Sequence, residues 1–284
     1  MPERHHFFDL LHTNLPPAAE IERAYVMEHA PAVTRLSYPG WADGTQLPPP
    51  AWYDAVAAGV NPAHGWVLVD HEQWFEATQE QRIKTASHFA TMYRDLKSRR
   101  PDLKFAFYGF GIKHHNTWPA LGPDSPEYQS WQRMSDDYAE MLAVVDALCP
   151  TLYFWYSEAD NGTAFTKARS PGLFRGYLTE ARRLLDKYGA PNRPVYPYIW
   201  WRKHDDSKDL EEWIWRDMLG ATLTYADGFV LWGGYQQIWE PWARWMRIFT
   251  VMLRQHKIDQ ATGTVQRPSW IGRVWTYSKV LRRR

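Results

Sequence analysis

Two carboxylates close an apolar run in the segment Val67-Leu68-Val69-Asp70-His71-Glu72-Gln73-Trp74. On a β-strand residues i and i+2 face the same way, so Asp70 and Glu72 are expected to project together, with His71 on the opposite side. Carboxylates held that close cannot both ionise easily. One is driven toward its neutral form and can donate a proton, while the other stays charged. Such a pair suits cleavage of a glycosidic bond. A plainer role is open to either acid, as the cap of the helix that follows.

The elements that must hold this pair follow from the period of the apolar residues. Strand candidates run over residues 7–11, 33–38, 66–70, 104–108, 147–155, 195–201 and 228–232. Between and around them lie helical patterns at 17–29, 51–58, 78–98, 126–145, 173–188, 210–224 and 240–256. Repeated alternation of near-continuous apolar strands with amphipathic helices predicts a parallel sheet covered by helices, an α/β architecture. Seven to eight such units predict a TIM-like (β/α) barrel, with a doubly wound open sheet as the alternative. No Gly-rich phosphate loop follows the first strands. No repeat, low-complexity tract or linker divides the chain, so residues 1–284 are expected to form a single catalytic barrel domain.

In a parallel barrel the reactive groups collect at the carboxyl ends of the strands. Those ends carry Asp70, Glu72 and Trp74 after the third strand, and Tyr108, Lys113, His114, His115 and Asn116 after the fourth. Tyr153, Trp155 and Tyr156 follow the fifth, Tyr198, Trp200, Arg202, Lys203 and His204 the sixth, and Trp232 and Tyr235 the last. The chain contains 17 Trp and 16 Tyr, and sugar-binding chains use such rings because the apolar faces of pyranoses stack on them. Trp213, Trp215, Trp239, Trp242 and Trp245 lie inside helical patterns and read as packing residues; Trp118 and Trp201 join the group near strand ends. The basic runs Lys113-His114-His115 and Arg202-Lys203-His204 either face the groove and favour an anionic polymer or are solvated loops.

Composition narrows the classes. A formal charge of +1 argues against a globally basic nucleic-acid binder. No apolar stretch approaches a membrane span, and the start Met1-Pro2-Glu3-Arg4-His5-His6 lacks the apolar core of a signal peptide, so the expectation is a soluble chain without an export label. Cys149 follows Ala147-Leu148 in an apolar run and is expected to be a buried structural thiol. A metal hydrolase built on His114, His115, His204 and Asp205 lacks any His-x-His or His-x-x-x-His spacing, and no cofactor is expected.

The strand leading into Asp70-His71-Glu72-Gln73-Trp74, then Phe107-Tyr108-Gly109-Phe110 with Asn116, Leu152-Tyr153, Pro194-Val195-Tyr196-Pro197-Tyr198 and Gly228-Phe229-Val230-Leu231-Trp232-Gly233 together resemble the hyaluronidase family, glycoside hydrolase family 56. The resemblance covers about residues 60–235 and implies a distorted (β/α) barrel that hydrolyses N-acetylhexosamine linkages inside glycosaminoglycans of the hyaluronan or chondroitin type. It also implies Glu72 as proton donor, Asp70 as the group that orients and charges the substrate's acetamide, and functional roles for Tyr153 and Trp232. The acetamide oxygen is then the nucleophile, an exception to the two-carboxylate scheme, and the product retains its configuration. Trp74, Tyr108, Asn116, Trp155, Tyr198, Trp200, Arg202, Lys203 and Trp232 are the expected substrate contacts. The chain departs from the family at Gly111-Ile112-Lys113-His114-His115, at Ile199-Trp200-Trp201-Arg202-Lys203, and in its lone Cys149 where the secreted animal enzymes are disulfide-tied. The last point suggests a microbial or viral relative; extracellular or virion-associated action is suspected, with release by lysis, a non-standard secretion route and an intracellular substrate as open alternatives. An inverting hydrolase with Asp160, Asp205 or Asp206 as base, a hydrolase of another polysaccharide such as a bacterial surface glycan, and a non-catalytic sugar-binding barrel are the alternatives.

Overall fold

The computed structural model describes residues 45–60, 65–74, 76–154, 170–188, 190–203 and 209–232, the strand backbones at 5–9 and 33–37, and positions 248, 251, 252 and 255. The strands are β1 (His5–Asp9), β2 (Val33–Ser37), β3 (Trp66–Asp70), β4 (Lys104–Phe107), β5 (Tyr198–Ile199) and β6 (Gly228–Trp232). The helices are α1 (Pro50–Gly59), α2 (Gln79–Arg99), α3 (Pro126–Asp136), α4 (Ala139–Leu142), α5 (Ser170–Lys187) and α6 (Glu212–Tyr225), with a 3-10 turn at Trp118–Ala120. Among the described residues no helix is long and apolar enough to cross a membrane.

Local chemistry sets several of these boundaries. β3 and β6 are apolar at nearly every position and buried throughout, as strands covered on both faces must be. α2 opens on a reciprocal capping box: Thr78 Oγ1 accepts from Gln81 N at 3.2 Å, and Gln81 Oε1 accepts from Thr78 N at 3.0 Å. α3 opens with Pro126 in its first turn and with Ser125 Oγ accepting from Tyr128 N at 3.2 Å.

Two small parallel sheets result, in the orders β2-β3-β4 and β1-β6-β5. The strand expected at 147–155 is not a continuous one. Instead, single parallel pairings Tyr108↔Cys149, Leu148↔Val195 and Thr151↔Tyr198 lay this segment between β4 and β5. Proline explains the interruption. Leu148 N donates to Pro194 O at 3.0 Å and Leu152 N to Tyr198 O at 2.9 Å, and the ladder donor between them falls on Pro150, which has no N–H. Pro197 removes a donor on the facing segment, and β5 shrinks from the expected 195–201 to two residues. Six regular strands are therefore described where seven to eight were expected. β1 and β2, at the two ends of the resulting order, approach within 8 Å at Cα.

The helical pattern at 126–145 also divides, at Asp137 and Tyr138, for a tertiary reason that concerns the site. The core is continuous from α2 across β3 and β4: the Phe89 ring lies 4.6 Å from Phe107, 4.4 Å from Phe110 and 4.5 Å from Trp74. Burying each such ring contributes about 1.5–3 kcal/mol. Trp215 is fully buried as expected of a packing residue, whereas Trp239, Trp242 and Trp245 lie outside the described residues. Cys149 is fully buried, and burial pushes its thiol pKa well up, so it is held as a neutral thiol. At the amino end of β5 and β6, Asp227 Oδ2 accepts from Val195 N at 2.9 Å and from the Arg182 guanidinium, which fixes the relative height of the two segments.

Candidate active site

Because all pairings among the strands are parallel, their carboxyl ends open on one side. β3 delivers Asp70 there, with Ser37 beside it on β2, while Tyr108 N donates to Val69 O at 2.9 Å and so follows β4 to the same level. Asp70 is 2% exposed. The strand stops at this residue, so the two-residue alternation does not carry through 71–73, which is irregular. Glu72 is exposed on this segment and does not share the burial of Asp70. His71 is buried, packed 4.4 Å from the Trp74 indole.

Four expected contact residues, Tyr108, Tyr198, Trp200 and Trp232, converge with Tyr153, expected to act on the acetamide. The Tyr108 ring stands edge-on to Tyr198 at 4.7 Å and is tilted against Tyr153 at 5.9 Å. Tyr153 is stacked on Trp232 at 5.6 Å and 22°, and lies 5.8 Å from Trp200, which meets Trp232 edge-on at 4.5 Å. The ends of β4, β5 and β6 and the bridged segment between β4 and β5 thus supply one ring cluster. Each aromatic pair adds about 0.5–1.5 kcal/mol beyond area burial, so the rings hold one another rigid. Tyr108 is half-buried; Tyr153, Tyr198, Trp200 and Trp232 are buried. The Tyr198 hydroxyl and the Trp200 indole nitrogen are buried with their rings, and Tyr108 is the most accessible member of the cluster.

Other expected residues are placed elsewhere. Trp74 is 5% exposed and packs on His71, His88 and Phe89, behind β3 and against α2, so its indole is a core group. Asn116 is half-buried in the loop after β4. That loop is built around His115, whose Nδ1 accepts from Thr117 N at 3.3 Å and Trp118 N at 3.2 Å and whose ring stacks on Trp118 at 4.0 Å. Burial, and then Lys113, lower the His115 pKa, so the neutral acceptor form is favoured. Lys113 pairs with Glu76 at 3.4 Å, Arg202 with Asp209 at 3.6 Å and Lys203 with Glu211 at 3.5 Å. Lys113, Arg202 and Lys203, from the two basic runs that were expected either to face the groove or to be solvated loops, thus each have an acidic partner within the chain. Trp155, Tyr156, Asp160, His204, Asp205, Asp206 and Tyr235 lie outside the described residues. Among the described residues no group of three His, Cys, Asp or Glu is arranged to hold a metal ion.

Sequence reasoning missed Glu76, Tyr138 and Tyr177. The Tyr138 hydroxyl donates to Glu76 Oε1, and Tyr177 Oη accepts from His115 N at 2.6 Å and donates to His115 O at 2.9 Å. Each partner lies 62 residues away in the chain, so no local pattern signals the contact.

No protein-family model matches the chain. It is 24% identical over 183 residues to the hyaluronidase of Apis mellifera, an alignment covering 60% of this chain and 44% of that relative, so the chain matches less than half of the relative's length. Among solved structures, bee venom hyaluronidase superposes with a TM-score of 0.59 at 14% identity, over 89% of this chain and 98% of that one. The same enzyme in complex with a hyaluronic acid tetramer gives a TM-score of 0.58 at 15% identity, over 89% and 96% of the two chains. The two parallel sheets and the ring cluster at their carboxyl ends are thus carried on a fold that this chain shares with bee venom hyaluronidase.

Proposed function

We propose that the chain is a glycoside hydrolase that cuts N-acetylhexosamine linkages within a polysaccharide of the hyaluronan or chondroitin type, on a distorted (β/α) barrel formed by the parallel strand order. The observation that carries this reading is a buried Asp70 at the end of β3, followed two residues later by an exposed Glu72. The sequence similarity to a hyaluronidase and the shared fold support it.

In this reading Glu72 protonates the leaving oxygen as the substrate's own acetamide oxygen attacks the anomeric carbon. Exposure makes Glu72 reachable, and a sugar chain covering it removes water and favours its proton-bearing form. The Asp70 carboxylate stabilises the positive charge that develops on the acetamide nitrogen; its burial strengthens that attraction because the local dielectric is low. The Tyr153 hydroxyl hydrogen-bonds the acetamide, held in place by Trp200 and Trp232. Water then attacks the anomeric carbon, giving its proton to Glu72 and opening the oxazoline-type intermediate, so the configuration is retained.

One observation favours a second substrate class. With Lys113, Arg202 and Lys203 each beside an acid, those residues add little surplus positive charge, and a neutral N-acetylhexosamine polymer of the chitin type becomes a competing substrate. Digestion of hyaluronan, chondroitin, chitin oligomers and bacterial capsules, with products read by mass spectrometry, separates the two. Parent protein is expected to shorten at least one N-acetylhexosamine polymer while Glu72→Gln shortens none; no product from the parent on any glycan overturns the assignment.

A further inference from the structure

Glu72 itself sits on an irregular segment, yet a proton donor must be held within a fraction of an ångström of its working position, since misplacement of about 1 Å costs about 100-fold in rate. The described contacts show what holds this one. On the far side of Glu72 from Asp70, the Trp74 indole is anchored in the core. Two residues further on, the Glu76 carboxylate receives the Tyr138 hydroxyl on Oε1 and faces Lys113 Nζ at 3.4 Å through Oε2. Tyr138 is fully buried at the break between α3 and α4. Lys113 is fastened in its turn, its carbonyl accepting from Trp131 Nε1 at 2.6 Å and its N–H donating to Ser135 Oγ at 3.2 Å. Arg82 secures the same stretch from α2: its Nη1 reaches the carbonyls of Glu76 and Ala77, both at 3.3 Å, and its Nε donates to Asp137 Oδ2 at 2.8 Å.

We propose that Glu76, clamped between Tyr138 and Lys113, is a positioning residue that fixes the β3–α2 segment and thereby the aim of Glu72. The inference rests on the reading of Glu72 as proton donor. A carboxylate suits the task because it accepts a phenol and an ammonium at once, joining three separate parts of the chain through one side chain. It also explains why the 126–145 helix breaks where it does: continuing the helix through Asp137 and Tyr138 would compete with the contacts to Arg82 and Glu76.

The test uses leaving groups of different basicity. Parent, Glu76→Gln, Tyr138→Phe and Lys113→Met are compared on the polysaccharide that the parent cuts and on a 4-nitrophenyl glycoside of the matching N-acetylhexosamine oligomer, whose leaving group needs no proton. Glu76→Gln and Tyr138→Phe are expected to lower kcat on the polysaccharide about 10- to 100-fold with KM within about twofold, while kcat on the nitrophenyl substrate falls less than about threefold. Lys113→Met is expected to show the same pattern more weakly. Equal losses on the two substrates, or no loss on either, overturn the positioning role while leaving the hydrolase reading intact. A parent that cuts neither substrate overturns both. Thermal melts accompany each variant, and if Tyr138→Phe fails to fold, Glu76→Gln and Lys113→Met decide the matter.

Discussion

Replacing Tyr177 by Phe removes one oxygen atom from the inside of the protein and leaves the ring, which meets Trp131 edge-on at 5.5 Å and lies 6.0 Å from His114. That oxygen serves both backbone groups of His115, accepting its N–H at 2.6 Å and donating to its carbonyl at 2.9 Å. A hydrogen bond contributes about 1 kcal/mol net, and a polar group left buried without a partner costs about 1–3 kcal/mol. His115 is half-buried, so water can reach part of what is exposed, and the expected loss is about 2–3 kcal/mol. At about 2–4 °C per kcal/mol for chains of this order, the thermal midpoint should fall by about 4–12 °C. Tyr188→Phe is the control: its hydroxyl donates to Asp136 at 3.2 Å on a wetter surface, and its loss should cost less than about 1 kcal/mol. Urea and thermal melts by near-ultraviolet circular dichroism measure both variants. A Tyr177→Phe midpoint within about 1 °C of the parent would refute the idea that this hydroxyl holds the loop.

Glu72→Gln should remove about 100- to 10,000-fold of the hydrolytic rate yet change stability by less than about 0.5 kcal/mol, because the side chain is exposed; unfolding of the variant, or substantial turnover by it, overturns the proton-donor role of Glu72. If the acetamide attacks, proton NMR of the first-formed sugar shows retained configuration and Asp70→Asn is nearly as damaging as loss of Glu72, whereas inversion excludes that nucleophile. Burial, and then Lys84 or Lys113, lower the pKa values of His88 and His115 from 6.5, so below that pH the unfolded chain takes up protons that the folded chain resists. Stability is therefore full above about pH 6.5 and declines as pH falls through the lowered folded values; the urea midpoint should drop between about pH 7.5 and about pH 5.5, less so in His115→Asn, and an unchanged midpoint contradicts the assignment. Because Arg202 already faces Asp209, Arg202→Ala should shift KM for hyaluronan by less than about threefold, and a larger, salt-sensitive shift would show that the side chain reads substrate charge.

The parts of the fold that were legible in the sequence are those in which one local signal acts alone. β3 and β6 match their predicted bounds because their apolar runs are continuous and end cleanly. The 147–155 run is just as apolar, but Pro150 leaves the side chains suited to a strand and the backbone unable to complete the ladder. For the site, position at a strand end was enough to gather Tyr108, Tyr153, Tyr198, Trp200 and Trp232, since parallel strands deliver their ends to one level. It was not enough for Trp74 or Glu72, whose segment lies past the strand, where alternation no longer says which way a side chain turns. Lys113, Arg202 and Lys203 read as available charge because their acidic partners are found only through the fold or through a turn, as with Glu76 and Asp209.

The pairing of β1 with β6 has a bearing on how the chain is made. His5 lies in register with Gly228, and Asp9 with Trp232, so the first strand has no partner in its sheet until roughly 220 further residues have been synthesised, on the order of 10–45 s at ribosomal rates. β2, β3 and β4 by contrast follow one another in sequence and can pair as they emerge. Vectorial synthesis thus separates the two sheets in time: the half that carries Asp70 and Glu72 can assemble early, while β1, with Phe7 and Phe8 at its centre, waits for the strand that ends in Trp232. Slowing translation late in the message should lengthen that wait and raise aggregation of nascent chains, whereas slowing it early should not.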